Sequence, residues 1–105
     1  MNDEKRSSER IAVNLPARWD GATGSYECRI EDLSVTGCFV NTTGAADVGE
    51  TVNLLIQTPS GRWFPLRGKV AFYHQLTGFG VSFSILDDQE RETLNELVAE
   101  HAART

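Results

Sequence analysis

Two short clusters hold the residues whose chemistry asks for an explanation. The first is Arg6-Ser7-Ser8-Glu9-Arg10, with two arginines four apart. A guanidinium is a planar fork that meets paired phosphate oxygens, and its face can also stack on a base. Two such forks, with Lys5 as a further positive charge, are the local basic site an anionic ligand would need, but by themselves they read as a solvated tail or an i, i+4 pair on a short helix. The second cluster is Asp32-Leu33-Ser34-Val35-Thr36-Gly37. Asp32 is a short acceptor, Ser34 a hydroxyl that can donate or fix a turn, and Gly37 a place where a backbone or ligand can approach without meeting a Cβ. Each cluster also has a plain structural meaning. Asp and Ser bond their own backbone in turns, Gly tolerates positive φ, and charged runs are usually solvated.

The remaining composition limits the choices. The chain has 105 residues, the size of one domain, with 40% hydrophobic and 24% charged residues. Its formal net charge is −5. An acidic chain lacks the basic face that drives nucleic-acid or anionic-membrane binding, so an anion must be gripped locally. No apolar run follows the first residues, and no stretch reaches the roughly 20 apolar residues of a membrane helix. A cytoplasmic location without membrane insertion is expected. Cys28 and Cys38 lack C-x-x-C spacing and fall in strand-like runs, so two buried thiols are expected, with neither a disulfide nor a metal site. Asp87, Asp88 and Glu90 are adequately explained by a helix N-terminus. No nucleophile and base have a recognisable setting, so no catalytic residue is expected.

The elements that would position the two clusters follow from periodicity. Ile11–Trp19 alternates, with Ile11, Val13, Leu15, Ala17 and Trp19 on one face. Pro16 cannot donate to a ladder and needs an edge or a bulge. Asp20–Gly24 reads as a turn, Tyr26–Ile30 as a second strand, Asp32–Gly37 as a turn, and Cys38–Thr42 as a third strand. Thr51–Thr58 follows, with Val52, Leu54 and Ile56 on one face. Pro59-Ser60-Gly61 is a hairpin signal. Arg62–His74 is a long strand with Leu66, Val70 and Phe72 on one face, and Gly78–Ile85 a sixth strand. Asp87 and Glu90 have capping-box spacing, and Leu94, Leu97, Val98 and His101 recur at helical spacing, predicting a helix over 87–103. Six short strands and a terminal helix predict a small six-stranded antiparallel β-barrel over 11–105, the helix covering one opening. Residues 1–10, polar and charged, are expected to form a flexible arm.

Taken together, R-x-x-x-R followed by D-x-S-x-x-G, each beside a strand, resembles the signature of the PilZ domain, a bacterial receptor family for cyclic di-GMP. The resemblance runs from about Lys5 to the final helix. It implies a split barrel with a C-terminal helix and a ligand with two phosphates and two guanines. Arg6 and Arg10 would meet phosphate and the O6/N7 edge of guanine. Asp32 would accept from guanine's opposite edge, with Ser34 and Gly37 in the same wall. Lys5 would add charge, and Tyr73 is the expected stacking aromatic. Ser7 stands where the family often has a further arginine, and Ser8 where it often has a bulky residue; both bear on affinity and on whether one or two ligands bind. The function implied is a receptor module, without a further cofactor. It orders its N-terminal arm on binding cyclic di-GMP and signals to a protein partner. The alternative is an adaptor that acts through protein contacts without nucleotide.

Overall fold

The computed structural model describes residues 10–102. Lys5, Arg6 and the rest of the expected arm (1–10) up to residue 9 lie outside them; Arg10 is described. Six strands and one helix follow in order: β1 (Ile11–Gly21), β2 (Gly24–Leu33), β3 (Gly37–Asn41), β4 (Thr51–Gln57), β5 (Trp63–His74), β6 (Gly78–Ser82) and α1 (Asp88–Ala102). Every pairing is antiparallel, and the order β1-β2-β3-β6-β5-β4 closes on itself. Closure leaves no unpaired sheet edge, so a small chain can bury a core without exposing a strand for aggregation. The expected fold class is the one found.

Alternation builds the core. Leu15, Ala17 and Trp19 of β1, Val52, Leu54 and Ile56 of β4, and Phe79 and Val81 of β6 all turn inward. Trp19 is fully buried, stacks on Tyr26 with ring centroids 4.6 Å apart, and meets the edge of Phe79 at 5.0 Å. Its indole N–H donates to Thr42 Oγ1 at 3.0 Å, so the ring's one polar atom is satisfied. Cys28 and Cys38 are free and buried. Burial pushes the Cys28 thiol up to about 12 and raises Cys38 as well.

Several boundaries differ from those expected. β2 runs on to Leu33, so Asp32 is a strand residue and only Ser34–Thr36 turn. β1 extends to Gly21 and β2 starts at Gly24, which shortens the first turn to Ala22-Thr23. β6 ends at Ser82, although Phe83 just beyond it is still fully buried. Pro16 follows an irregularity between Ala12 and Leu15, and pairing with β4 begins only at Ala17, which removes the need for its missing N–H. Phe72 does not share the buried face of Leu66 and Val70. The register shifts between Val70 and Phe72, and Phe72 emerges 45% exposed. A bulge adds one residue and reverses which face the following side chains occupy.

The helix starts as its capping pattern predicts. The Glu90 amide donates to Asp87 Oδ1 at 2.8 Å, and the Asp87 amide donates to Glu90 Oε1 at 3.0 Å. Leu94 and Leu97 are fully buried in the barrel core, with Val98 packed against it. The side chain of His101 lies outside the description. Arg67 of β5 grips Glu90 with two bonds, at 2.6 and 2.8 Å, and Ser60 in the β4–β5 turn donates to Glu100 at 2.9 Å. The β4–β5 turn and the β2–β3 turn belong to the same end of the barrel. Anchored near both, α1 lies across that opening.

Candidate functional site

The register of β1 against β2 brings Arg10, the last residue of the first cluster, to Asp32, the first residue of the second. Ile11 pairs with Leu33 and Ala12 with Asp32, so Arg10, just before β1, falls beside the end of β2. Arg10 Nη1 donates to Asp32 Oδ1 at 2.7 Å, with side chains 48% and 35% exposed. An ion pair this open contributes at most about 1 kcal/mol to the fold. Among the described residues, this is the single bond each side chain makes. The other guanidinium donors and the second carboxylate oxygen make no further bond among the described residues.

Gly37 lies under this pair. A Cβ there would sit 2.3 Å from the Val81 carbonyl oxygen and 3.6 Å from Arg10 Nη2. Glycine is therefore required by the close approach of β3 to β6, and a positive φ is not involved: the positive-φ glycines are Gly24, Gly49, Gly61 and Gly78. Ser34 is 1% exposed, and its hydroxyl is engaged inside the turn. Ser34 Oγ accepts from the Thr36 amide at 3.1 Å and the Gly37 amide at 3.2 Å, and lies 2.9 Å from Thr36 Oγ1. Of its two possible roles, the observed one is to fix the turn.

Asp32 pairs across the ladder with Phe39, Phe39 with Gly80, and Gly80 with Phe72. Cross-strand partners share a face, so this row continues the site around the outside of the barrel. Phe39 and Phe72 lie 6.2 Å apart at an interplanar angle of 27°, and His74 meets Phe72 edge-on at 5.3 Å. A Cβ at Gly80 would meet the Phe72 ring at 2.3 Å, so the ring lies down across the glycine. Tyr73 is 41% exposed and pairs with the inward Phe79, on the opposite side of the strand from Phe72. The aromatic wall beside Asp32 thus consists of Phe39, Phe72 and His74. Sequence reasoning missed Phe39 and Phe72 because simple alternation assigned Phe72 to the core. The Gly80 gap opposite two aromatics was the available signal.

The arrangement offers a fork of donors, a carboxylate acceptor and a flat apolar wall along one outer face, which is the chemistry of base-and-phosphate recognition. Among the described residues, no group of His, Cys, Asp and Glu is placed to hold a metal ion.

Comparison with known proteins shows the family and the fold. The family model described as the PilZ domain matches residues 4–100. The PilZ domain of CeSA from a cellulose-synthesizing bacterium superposes with a TM-score of 0.76 at 21% identity, over 90% of this chain and 99% of that one. The PilZ domain of YcgR from Escherichia coli, solved with c-di-GMP, gives 0.70 at 16% identity over 95% of both chains. The Bacillus subtilis inhibitor of motility MotI/DgrA gives 0.67 at 14% identity, over 91% of this chain and 50% of that one. At these identities the structural likeness speaks for the fold. A search of curated proteins found no match.

Proposed function

The chain belongs to the PilZ domain family, and from that premise we propose that it is a cyclic di-GMP receptor that acts on a protein partner in the cytoplasm. The observation that carries this reading is the Arg10–Asp32 pair at 2.7 Å, over Gly37 and beside the Phe39–Phe72 wall. Arg10 takes a phosphate and the O6/N7 edge of one guanine, and Asp32 accepts from the N–H groups of a guanine. Gly37 admits the ligand, Ser34 holds the turn in shape, and a base stacks on Phe72. Arg6 and Lys5, outside the described residues, supply the remaining positive charge as the segment before Arg10 closes over the ligand. Tyr73 stands nearby as a secondary aromatic. The site takes one ligand or a stacked pair.

Magnitudes support a shared task. Micromolar affinity needs about 8 kcal/mol. A charge-assisted hydrogen bond nets about 1.5–3 kcal/mol, and a stacked base adds about 1–3 kcal/mol. Ordering a free segment costs about 1 kcal/mol or more per residue. Two arginines and a carboxylate do not suffice without the aromatic wall and a preformed barrel.

The test is thermal unfolding with and without ligand. Cyclic di-GMP at 100 times its dissociation constant should stabilise the native state by about 2.7 kcal/mol, raising Tm by about 10 °C for a domain of this size. GMP at the same concentration should shift it little. An unchanged Tm at millimolar cyclic di-GMP would favour the adaptor that acts without nucleotide.

A further inference from the structure

Arg91 has a place next to the site but no role in it so far. It lies in the first turn of α1, half-buried. Its Nη2 donates to the Phe83 carbonyl at 3.0 Å, and its Nη1 to the Val35 carbonyl at 3.4 Å. The Phe83 amide in turn donates to the Thr36 carbonyl at 2.9 Å. These three bonds close a loop through α1, the Ser34–Thr36 turn and the segment just after β6. The same residues, with Ser82 and Ser84, line a cleft of about 160 Å³.

The partners of Arg91 differ from those of the two arginines that tie the barrel to the helix. The arginines of β5 and of the turn before it, Arg67 and Arg62, pair with the helix carboxylates Glu90, Glu96 and Glu100. Arg91 makes no ion pair among the described residues, in a chain with 15 acidic side chains. Its charge instead rests on two backbone carbonyls where β2 and β6 have run out, that of Phe83, which also accepts from the Leu86 amide at 3.3 Å, and that of Val35, which lies outside the ladder. One of them belongs to the turn that Ser34 organises and that sets Gly37 beneath the Arg10 guanidinium.

Resting on the reading of that site as the cyclic di-GMP pocket, we propose that Arg91 is a positioning residue that couples occupancy of the Arg10–Asp32–Gly37 site to the first turns of helix α1. Ligand held by Arg10 and Asp32 restricts the turn beside them. The turn is clamped through Val35 and Thr36 to Arg91, so restriction passes to the start of the helix. The outer face of α1, with Asp88 and Glu92, is then the surface whose order reports the ligand. Coupling is reciprocal: whatever holds the helix tightens ligand binding by the same factor.

The experiment is hydrogen exchange of the full chain with and without saturating cyclic di-GMP, in the wild type, Arg91→Met and Arg91→Lys. In the wild type, ligand should slow exchange over residues 32–37, and over 88–95 by about fivefold or more, the low end of typical coupling. Arg91→Met should still bind, weaker by about the same factor, with protection at 32–37 and none at 88–95. Arg91→Lys, which can still donate to one carbonyl, should recover part of the helix protection. It also serves as the test variant if Arg91→Met does not fold. Protection of 32–37 without protection of 88–95 in the wild type would overturn the coupling and leave the receptor intact, as would equal helix protection in wild type and Arg91→Met. Absence of binding, with no protection at 32–37, would overturn the receptor and the coupling together.

Discussion

Arg10 and Asp32 are held by an open ion pair that contributes little to the fold. A bond of that kind is easily re-made around a ligand, because each partner retains unused hydrogen-bonding capacity. The neighbouring aromatic differs in kind. Phe72 is half in water although it is large and apolar, and such exposure has an explanation if a base covers it. Phe72→Ala should leave the circular-dichroism spectrum unchanged and weaken cyclic di-GMP binding about tenfold or more, the equivalent of one lost stack. Tyr73→Ala should cost less, because Tyr73 lies on the other side of the strand. Equal affinity of Phe72→Ala and wild type would remove the aromatic wall from the site. The residue types of the signature were legible in the sequence because each acts through its own chemistry. The task of Ser34 was legible only as a pair of alternatives, until its hydroxyl was seen to be occupied by the Thr36 and Gly37 amides.

Elements add what single residues lack. The periodicity of β1, β4 and β6 and the capping box of α1 were readable, because burial and helix starts leave local patterns. The bulge in β5 was not readable. One inserted residue leaves composition untouched and reverses the facing of Phe72, and it depends on pairing with β6, thirty or more residues from the signature turn. The clamp of Arg91 on two carbonyls was equally hidden, since backbone acceptors carry no sequence mark. The attachment of α1 to β5 makes a prediction at this scale. The Arg67 guanidinium, and then the Asp87 amide, hold the Glu90 carboxyl at about 2, below its ordinary 4.5. A depressed carboxyl contributes stability that is complete above the unfolded value and is lost as pH falls toward the folded one. Tm should therefore decline by a few degrees more between pH 4.5 and 2 in the wild type than in Arg67→Met, followed by calorimetric scanning. Parallel declines would show that the pair does not anchor the helix.

The whole molecule is a closed barrel whose outer face carries the site and whose one end is crossed by the helix. Both features follow from the same strand ends. The start of β1, the end of β2 and the start of β3 bring Arg10, Asp32 and Gly37 together, and α1 spans the same opening. No helix among the described residues is long and apolar enough to cross a membrane. The proposed dianionic ligand, on a chain of net charge −5, requires a local basic site, and the proposal rests that site on Arg10. The most direct test is calorimetric titration of the folded protein with cyclic di-GMP, beside Arg10→Ala. Micromolar or tighter binding is expected in the wild type, with one or two ligands per chain, and its loss in the variant. No heat in a folded wild type, or undiminished binding by Arg10→Ala, would contradict it.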